Sequence, residues 1–404
     1  MPTSFDVLVL GAGPAGSAAA WALARAGLRV GLAERHTFPR DKVCGDGLIA
    51  DARAALTRMG LLDTVTREAV LADELRVHAP GGRAVSLAGR FGCLPRLRLD
   101  QILADAAVGA GAVLLEQHEA VAPIEQDGRV TGATLLAGHG AASQERRPVT
   151  LSAPLTLLAT GAQATVARAF GLPSSARPNA VAGRAYIEVP DDLARECRHL
   201  AIVYDRAICP GYGWIFPGID RRLNVGVGWF DDGGPARSLR DLWSRFTGSF
   251  PLAAEIVRRG RAVVPFRGAP LRVGLLRAPF GRPGLIPIGE TVETTYAATG
   301  EGIGKAMESG LLAAECVLET ADRQGPASAP HRLFEQRFRD ACARRYQAYD
   351  TAQRWSSHPW LLDLLAFRAT RGRFVRRELE RLIADEGDPM RLFSPRGLIR
   401  ALVS

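Results

Sequence analysis

The stretch Phe5-Asp-Val-Leu-Val-Leu10, followed at once by Gly11-Ala-Gly13-Pro-Ala-Gly16, decides the fold that we predict for this chain. Its apolar, β-branched first half is typical of a strand that is buried on both faces of a parallel sheet. The alanine-rich segment 17–26 predicts a helix directly after the glycines. A GxGxxG spacing between a buried strand and a helix indicates a βαβ unit that binds a dinucleotide.

The residues of this unit divide the binding task among them. Gly11 permits the tight turn, Gly13 lets backbone N–H groups approach a pyrophosphate, and Gly16 lets helix and strand pack closely. Segment 28–33 predicts a second strand that ends at Glu34, whose carboxylate can accept hydrogen bonds from a ribose hydroxyl. The cofactor-binding residues predicted here are Gly11, Gly13, Ala15, Gly16, Glu34 and Arg35.

The cofactor is predicted to be FAD rather than NAD, because the motif stands near the N-terminus and no second GxGxxG follows. The segments Gly284-Leu-Ile-Pro-Ile-Gly289-Glu290-Thr291 and Thr299-Gly-Glu-Gly-Ile-Gly304 resemble the second flavin fingerprint of aromatic hydroxylases. The resemblance implies that Glu290, where the family has Asp, contacts the flavin ribityl chain. It also implies that the next helix directs its N-terminal amides at the flavin ring. Arg96 matches the family's flavin-contacting arginine, with Arg98 as the alternative. The further cofactor-binding residues are Lys42, Cys44, Arg96, Gly161, Gly289, Glu290, Gly300, Gly302 and Ile303.

Two further segments narrow the resemblance. The loop Pro39-Arg-Asp-Lys-Val-Cys44-Gly-Asp46-Gly-Leu48 is similar to the corresponding loop of the geranylgeranyl reductase family. Pro210-Gly-Tyr212-Gly-Trp214-Ile-Phe216-Pro217, with Asn224-Val-Gly-Val-Gly228, resembles that family's YxWxFP…GxG signature. The resemblance covers about residues 5–320 and implies saturation of polyprenyl double bonds by an FAD enzyme.

Candidate catalytic and substrate-binding residues lie in these same segments. Cys44 is expected near the flavin ring, where it donates a proton or, alternatively, is a small buried hydrophobic residue. Asp46 and Lys42 are either acid–base or phosphate contacts, or solvated loop charges. Tyr212, Trp214 and Phe216 alternate along a strand and share one face, which suits a flat or apolar substrate or a protein core. We take Cys44, Asp46, Tyr212 and Trp214 as catalytic candidates and Tyr212, Trp214 and Phe216 as substrate-binding candidates.

The order of predicted elements gives the fold class, α/β combined with α+β. A Rossmann-like FAD-binding domain is built from three discontinuous segments, 1–75, 95–170 and 276–325. Alternating strands indicate an inserted, mostly antiparallel substrate-binding sheet domain over 76–94 and 171–275, with Gly81-Gly82 as a hairpin turn. Residues 326–404 are predicted to form a helical, arginine-rich C-terminal region.

Composition limits the setting in which the protein acts. The N-terminus leads straight into a strand and no stretch reaches the roughly 18 apolar residues of a membrane span, which predicts a cytoplasmic protein. The six scattered cysteines favour neither a disulfide framework nor a metal site. The net charge of +9 is carried by arginine, since lysine occurs only at 42 and 305. This charge favours a phosphorylated substrate or peripheral contact with an anionic membrane surface, or it reflects codon bias in a GC-rich genome; no nucleic-acid motif accompanies it.

The predicted function is reduction of isoprenoid C=C bonds by hydride transfer from a reduced flavin. The electron donor is NAD(P)H that binds transiently, a ferredoxin or a partner reductase. The alternative is an FAD-dependent monooxygenase that acts on an aromatic or biosynthetic intermediate, since Glu290-Thr291 departs from the usual Asp-Ala. A flavin halogenase is disfavoured because no lysine occurs between 43 and 304. A flavin-binding role without catalysis also stays open.

Overall fold

A five-stranded parallel sheet and an eight-stranded, mostly antiparallel sheet organise the chain in this computed structural model, which describes residues 3–138, 146–175, 177–231, 233, 237–321 and 329–403. The strands are β1 (Val7–Leu10), β2 (Val30–Glu34), β3 (Gly47–Leu48), β4 (Val70–His78), β5 (Ala84–Cys93), β6 (Val113–Glu116), β7 (His118–Gln126), β8 (Arg129–Ala137), β9 (Arg147–Ser152), β10 (Leu155–Leu158), β11 (Ala180–Glu188), β12 (Leu200–Val203), β13 (Tyr212–Pro217), β14 (Arg222–Phe230), β15 (Arg261–Leu271) and β16 (Leu285–Pro287). The helices are α1 (Pro14–Arg25), α2 (Ala50–Arg58), α3 (Leu62–Glu68), α4 (Arg96–Gly109), α5 (Ala164–Ala169), α6 (Asp191–Glu196), α7 (Leu239–Ser249), α8 (Pro251–Arg259), α9 (Ile303–Thr320), α10 (Pro330–Ser356), α11 (Pro359–Arg371), α12 (Arg373–Ile383) and α13 (Pro395–Val403).

The parallel sheet has the strand order β16-β10-β1-β2-β6, so β1 lies at its centre. Every residue of β1, β2, β10 and β16 is buried, as expected for strands covered on both faces. The predicted βαβ unit and the Rossmann-like sheet are therefore confirmed. The helix α1 begins at Pro14, three residues earlier than predicted, because proline at the first helical position lacks an N–H that would have no partner there.

The eight-stranded sheet has the order β15-β11-β14-β13-β12-β4-β5-β3. Its neighbours run antiparallel except for β12 and β4, which confirms the predicted mostly antiparallel sheet. The β4–β5 hairpin turns at the predicted Gly81-Gly82, where Gly82 takes a φ of +83°. Since β3 and the start of β4 pair into this sheet, residues 47–48 and 70–75 belong to it by hydrogen bonding. The domain limits given above stay a prediction.

The C-terminal region is helical, as predicted, and packs against elements of both sheets. Aromatic residues of α10, among them Phe334, Phe338 and Tyr346, join the core around β1 and α1. Farther along, Ala366 of α11 and Val375 of α12 pack against apolar residues of β4 and β5. The region thus closes the space between the parallel sheet and the β4–β5 hairpin.

Candidate active site

A cavity of about 890 Å³ lies between the ends of β1, β2 and β10, the face of the eight-stranded sheet, and the C-terminal helices. Ligands of open α/β sheets bind at this carboxyl edge of the strands. The predicted site residues that line the cavity are Gly11, Gly13, Ala15, Glu34, Arg35, Lys42, Cys44, Asp46, Arg96, Gly161, Tyr212, Trp214, Phe216, Glu290, Gly300, Gly302 and Ile303. The structure brings them together from segments as far apart as Gly11 and Ile303, which motif spacing alone does not establish.

Two predicted cofactor residues, Gly16 and Gly289, lie behind the cavity wall instead of on it. A Cβ on Gly16 would stand 1.9 Å from the Gly11 carbonyl oxygen. A Cβ on Gly289 would stand 2.7 Å from the Ala15 Cβ. Both glycines therefore serve close packing of the backbone around α1.

The glycine loop forms an open cradle at the start of α1. Gly11 has a φ of +107°, and a Cβ there would lie 2.4 Å from the Ala159 carbonyl oxygen. At Gly13, by contrast, a Cβ would meet only the guanidinium Nη2 atoms of Arg40 at 3.9 Å and Arg96 at 4.0 Å. Among the described residues, no side chain caps the N-terminus of this helix. Free backbone N–H groups and two guanidinium groups around a gap suit a diphosphate.

Glu34 is fixed at the end of β2 by contacts on both carboxylate oxygens. Its Oε2 accepts a hydrogen bond from Ala12 N at 3.2 Å, and Oε1 accepts one from His36 N at 3.2 Å. Arg40 Nη2 lies 3.3 Å from Oε2. Arg40, which sequence analysis did not select, therefore links the acidic end of the strand to the cradle.

Arg96 and Asp100 form a buried bidentate pair in the first turns of α4, with both N–O distances at 2.7 Å. Burial acts to raise the pKa of Asp100, but the charges of Arg96 and Arg40 hold that pKa below its ordinary value. The pair fixes the position of the Arg96 guanidinium on the cavity wall. Arg98, the alternative assignment, instead pairs with Glu68 at the surface.

Glu290 connects the end of β16 to the loop that carries Cys44. Its Oε2 lies 3.2 Å from Lys42 Nζ, and its Oε1 accepts a hydrogen bond from Arg272 N at 3.1 Å. A Cβ on Gly161 would lie 3.6 Å from the same carboxylate. The added methylene of Glu, relative to the usual Asp, lets the carboxylate reach across to Lys42.

Arg40 Nε and Thr160 Oγ1 are two of three buried polar atoms on the cavity wall that have no hydrogen-bond partner among the described residues; the third, Asp51 Oδ2, lies 3.6 Å from Lys305 Nζ. Buried polar groups are normally satisfied, so the first two atoms indicate a polar ligand. Together with the cradle at Gly13 and the acceptor at Glu34, they fit the diphosphate and ribose parts of FAD.

The turn Cys44–Asp46 faces the middle of the cavity. Asp46 is 2% exposed and has a φ of +66°, in the left-handed region. Its carboxylate accepts hydrogen bonds from Asn224 Nδ2 at 2.7 Å, Arg96 N at 3.3 Å and the Tyr186 hydroxyl. Burial raises the pKa of Asp46 to about 6, although these donors act to lower it.

The Cys44 thiol lines the cavity and is otherwise surrounded by protein. Burial raises the pKa of Cys44 above its ordinary value, in spite of the nearby charge of Arg96. The sulfur is therefore a neutral thiol near pH 7. Such a group can give up a proton only to a partner that becomes strongly basic in the reaction.

The three aromatic residues of β13 form one wall of the cavity. Trp214 lies flat over Gly226, where a Cβ would approach its ring to 2.1 Å, and donates from Nε1 to Asn224 Oδ1 at 2.9 Å. Phe216 packs beneath the turn, since Cβ atoms on Gly45 and Gly47 would lie 3.3 and 3.2 Å from its ring. The Tyr212 hydroxyl donates to the Thr299 carbonyl.

Beyond the aromatic wall the cavity is mainly apolar. Its far part is lined by residues of β4, β5 and the C-terminal helices, including Leu75, Val77, Leu87, Phe91, Leu362, Leu365, Ala366, Ala369, Leu379, Leu382 and Ile383. The sequence does not assign a role to the C-terminal helices. The recurring Leu and Ala residues of α11 indicate an apolar helix face, but periodicity does not say which surface that face covers.

The chain is similar to known proteins that have an FAD-binding domain. The model of the family "FAD binding domain" matches residues 4–205. The menaquinone reductase of Mycolicibacterium smegmatis is 33% identical over 335 residues, which cover 78% of this chain and 76% of that protein. The chain belongs to the geranylgeranyl reductase family of FAD-dependent oxidoreductases.

Two further proteins are similar to this chain, one in sequence and one in fold. The digeranylgeranylglycerophospholipid reductase 1 of Methanopyrus kandleri is 29% identical, covering 84% of this chain and 89% of that one. A geranylgeranyl bacteriochlorophyll reductase-like protein of Thermoplasma acidophilum matches the structure with a TM-score of 0.78, over 99% of this chain and 96% of that one, at 22% identity. Within the described residues, no helix is long and apolar enough to cross a membrane, and no group of three or more His, Cys, Asp and Glu is arranged to hold a metal.

Proposed function

We propose that this FAD-dependent oxidoreductase reduces carbon–carbon double bonds of an isoprenoid chain. The observation that carries the proposal is the single cavity that runs from the cradle at Gly13, past Cys44, to the apolar surfaces of β4, β5, α11 and α12. A dinucleotide needs the polar end of this space, and an extended hydrocarbon suits the other end. The names of two relatives refer to a quinone and to a digeranylgeranyl lipid, which supports a substrate of this class.

Bound FAD, once reduced, supplies the hydride for the reaction. Gly11, Gly13 and Ala15 would hold its diphosphate at the start of α1, and Glu34 with Arg35 would hold the adenosine end. Arg96 and the Lys42–Glu290 pair would hold the central part. The backbone around the flavin would be shaped by Gly161, Gly289, Gly300, Gly302 and Ile303.

The chain's own contribution to the reaction is a positioned proton and a dry pocket. An isolated alkene accepts a hydride poorly, so a proton must reach the other carbon as the hydride arrives. The Cys44 thiol would donate this proton, with Asp46 beside it. Tyr212, Trp214 and Phe216 would hold the double bond against the flavin and exclude water.

The cysteine proposal is tested by Cys44→Ala in the FAD-loaded protein. We expect FAD content to stay at the wild-type level while alkene reduction falls about 100-fold or more, the contribution of a positioned acid. Cys44→Ser, which keeps a proton donor of similar size, should retain more activity than the alanine variant. Equal activity of all three proteins would contradict a role for the thiol.

The electron donor is proposed to be NAD(P)H that binds transiently, or else a ferredoxin or partner reductase. The described parallel sheet provides one cradle at a strand–helix junction of the GxGxxG type, and FAD accounts for it. Anaerobic mixing of the oxidised holoenzyme with NADPH should bleach the flavin absorbance within seconds. Bleaching by reduced ferredoxin alone would assign the donor to a protein partner.

We also propose peripheral contact with a membrane through the C-terminal helices. Trp360 and Ile399 are each 62% exposed and Leu402 is 45% exposed, and the last two lie on the same helix, α13. One surface pocket of the same C-terminal region is lined by four arginines, Arg373, Arg377, Arg391 and Arg400, together with Phe374 and Glu378. Exposed apolar residues beside arginines favour an anionic lipid surface. The cavity lined by α11 and α12 would then receive its substrate from the bilayer.

A further inference from the structure

The Asp46 carboxylate is held by donors from three separate elements. Arg96 N at the start of α4 donates to Oδ1 at 3.3 Å. Oδ2 accepts from the Tyr186 hydroxyl of β11 and from Asn224 Nδ2 of β14, the latter at 2.7 Å. Three donors on one buried carboxylate fix its position and favour its ionised form.

Asn224 holds both functional residues of the turn at once. Trp214 Nε1 donates to its Oδ1, which orients the amide so that Nδ2 faces the turn. Nδ2 then donates to the Asp46 carboxylate and, at 2.8 Å, to the Cys44 carbonyl oxygen. Asp46 N in turn lies 3.4 Å from Cys44 Sγ. The thiol and the carboxyl are therefore parts of one rigid group.

Tyr186 is itself fixed from its other side. The Arg184 guanidinium stacks 4.2 Å from the centre of the Tyr186 ring and pairs with Asp41, which is partly exposed at the start of the same loop. The charged and titratable groups that face Asp46 are Arg96 of α4, Arg184 and Tyr186 of β11, Cys93 of β5 and Cys44 of its own loop.

We propose that Tyr186 and Asn224 are positioning residues that hold Asp46 as the proton source which restores the Cys44 thiol after each turnover. This inference rests on the proposed reductase function. While a hydride adds to one alkene carbon, the S–H bond of Cys44 breaks and a C–H bond forms at the other carbon. The resulting thiolate takes a proton from the Asp46 carboxyl, and Asp46 later regains a proton from solvent. The reduced cofactor supplies both electrons.

The direction of the second step follows from the two environments. Burial raises the pKa of the Asp46 carboxyl to about 6, and burial raises the pKa of the Cys44 thiol above its ordinary value near 9. A thiolate at this position is therefore a stronger base than the Asp46 carboxylate. The carboxylate that remains accepts the three hydrogen bonds described above.

The variant Tyr186→Phe tests the inference in the FAD-loaded protein, because it removes one donor to the carboxylate and keeps the ring under Arg184. We expect the pKa of Asp46 to rise by about one unit, a tenfold change in proton affinity. The infrared carbonyl band of the protonated carboxyl, assigned by its loss in Asp46→Asn, measures the pKa of Asp46 without turnover. In the wild type, reduction should decline as pH rises through about 6, and the variant should carry this decline to higher pH.

Asn224→Asp gives a second route to the same result, since a carboxylate of nearly equal size beside Asp46 also raises its pKa. It keeps the inference testable if Tyr186→Phe loses FAD. Tyr346→Phe is the matched control, because the Tyr346 hydroxyl donates to Thr294 O far from the turn; neither midpoint should move. If the wild type is active but both variants leave the pKa of Asp46 and the pH midpoint of activity unchanged, the inference is contradicted and the proposed function is not. An inactive wild type would contradict the proposed function as well.

Discussion

At Gly13 the backbone faces a gap that only a small residue leaves open. Because a Cβ there meets nothing closer than 3.9 Å, Gly13→Ala should fold normally yet place a methyl group where the diphosphate would lie. We expect FAD affinity to fall about tenfold or more, which corresponds to about 1.4 kcal/mol. Titration of the apoprotein with FAD, followed by flavin fluorescence, measures the change.

Gly109→Ala is the matched control for this prediction. Gly109 ends α4, and a Cβ there meets no atom within 4 Å. FAD affinity should not change, and the free energy of unfolding should be equal or slightly higher, as for alanine in a helix. A Gly13→Ala protein that binds FAD as tightly as this control would show that the diphosphate lies elsewhere.

Single residues of the site were predictable where a motif names them. Gly11, Gly13 and Glu34 follow from the strand–glycine–helix pattern, and Cys44 from the resemblance of its loop. Arg40, Tyr186 and Arg184 were missed because only the folded chain brings them to the cradle and the turn. Asp100 was within reach, since a residue four places after Arg96 on a helix lies on the same face.

Among the elements, α9 carries a buried lysine that joins distant parts of the chain. Lys305 Nζ lies 2.9 Å from Glu308, 3.6 Å from Asp51 of α2 and 3.7 Å from Asp385, which follows α12. Burial favours the neutral amine, but these carboxylates hold the pKa of Lys305 above its ordinary value. The ion pairs therefore connect the C-terminal region to the cofactor-binding half.

Removing this cation should destabilise the protein strongly. Lys305→Met leaves the buried Asp51 carboxylate without its cationic partner, which typically costs about 3–5 kcal/mol of unfolding free energy. Burial raises the pKa of Glu308, so the loss should shrink at acidic pH, where this carboxyl takes up a proton. Denaturant unfolding at two pH values measures both effects.

Lys42→Met is the matched control, since the chain's other lysine is 37% exposed and pairs only with Glu290 among the salt bridges of the described residues. Because solvent reaches the Lys42 side of this pair, its loss should cost less than the loss of Lys305, although the Glu290 side chain is only 10% exposed. Equal losses for the two variants would show that the α9 cluster adds nothing beyond a surface pair.

Element prediction succeeded where the sequence pattern is regular. The buried run before Gly11 and the β4–β5 hairpin at Gly81-Gly82 were found for this reason. The antiparallel sheet β7-β8-β9 was not predicted, because bulges at 120–122 and 124–125 interrupt the alternation in β7.

Across the whole molecule, the apolar end of the cavity depends on contacts between α11, α12 and the β4–β5 hairpin. Leu365→Trp should narrow this end without touching the cradle. We expect the KM for a long polyprenyl substrate to rise about tenfold, which corresponds to about 1.4 kcal/mol of binding free energy. A short prenyl substrate should be reduced normally. Steady-state kinetics with both chain lengths, together with FAD content, measure the effect.

Leu402→Trp adds the same ring at an exposed position and is the control. It should leave both substrates unaffected in detergent. If Leu365→Trp slows both chain lengths equally, the apolar end of the cavity is not where the chain lies.

The proposed membrane contact is also a property of the assembled surface. Ile399→Glu combined with Leu402→Glu should reduce cosedimentation with vesicles containing anionic phospholipid about tenfold or more, because each buried apolar side chain contributes roughly 1.5–3 kcal/mol. Ile219→Glu is the control, since Ile219 is 42% exposed in a 3₁₀ turn of the eight-stranded sheet. Equal binding of all variants would contradict this surface.

The sequence predicts the two sheets of the molecule but not the closed cavity between them. The helical, arginine-rich C-terminus was predicted, yet its inner surface became clear only when Leu365 and Leu382 were seen facing Leu75 and Val77 across the same space. Contacts between residues about 300 positions apart leave no periodic signal in either segment.

Anaerobic reduction of a substrate distinguishes an alkene reductase from a monooxygenase. The holoenzyme is reduced under anaerobic conditions, freed of excess reductant and mixed with a geranylgeranyl substrate while flavin absorbance is followed and products are analysed by mass. We predict reoxidation of the flavin together with a product that has gained two hydrogens. A flavin that stays reduced until oxygen is admitted, followed by a hydroxylated product, would contradict the account and identify a monooxygenase.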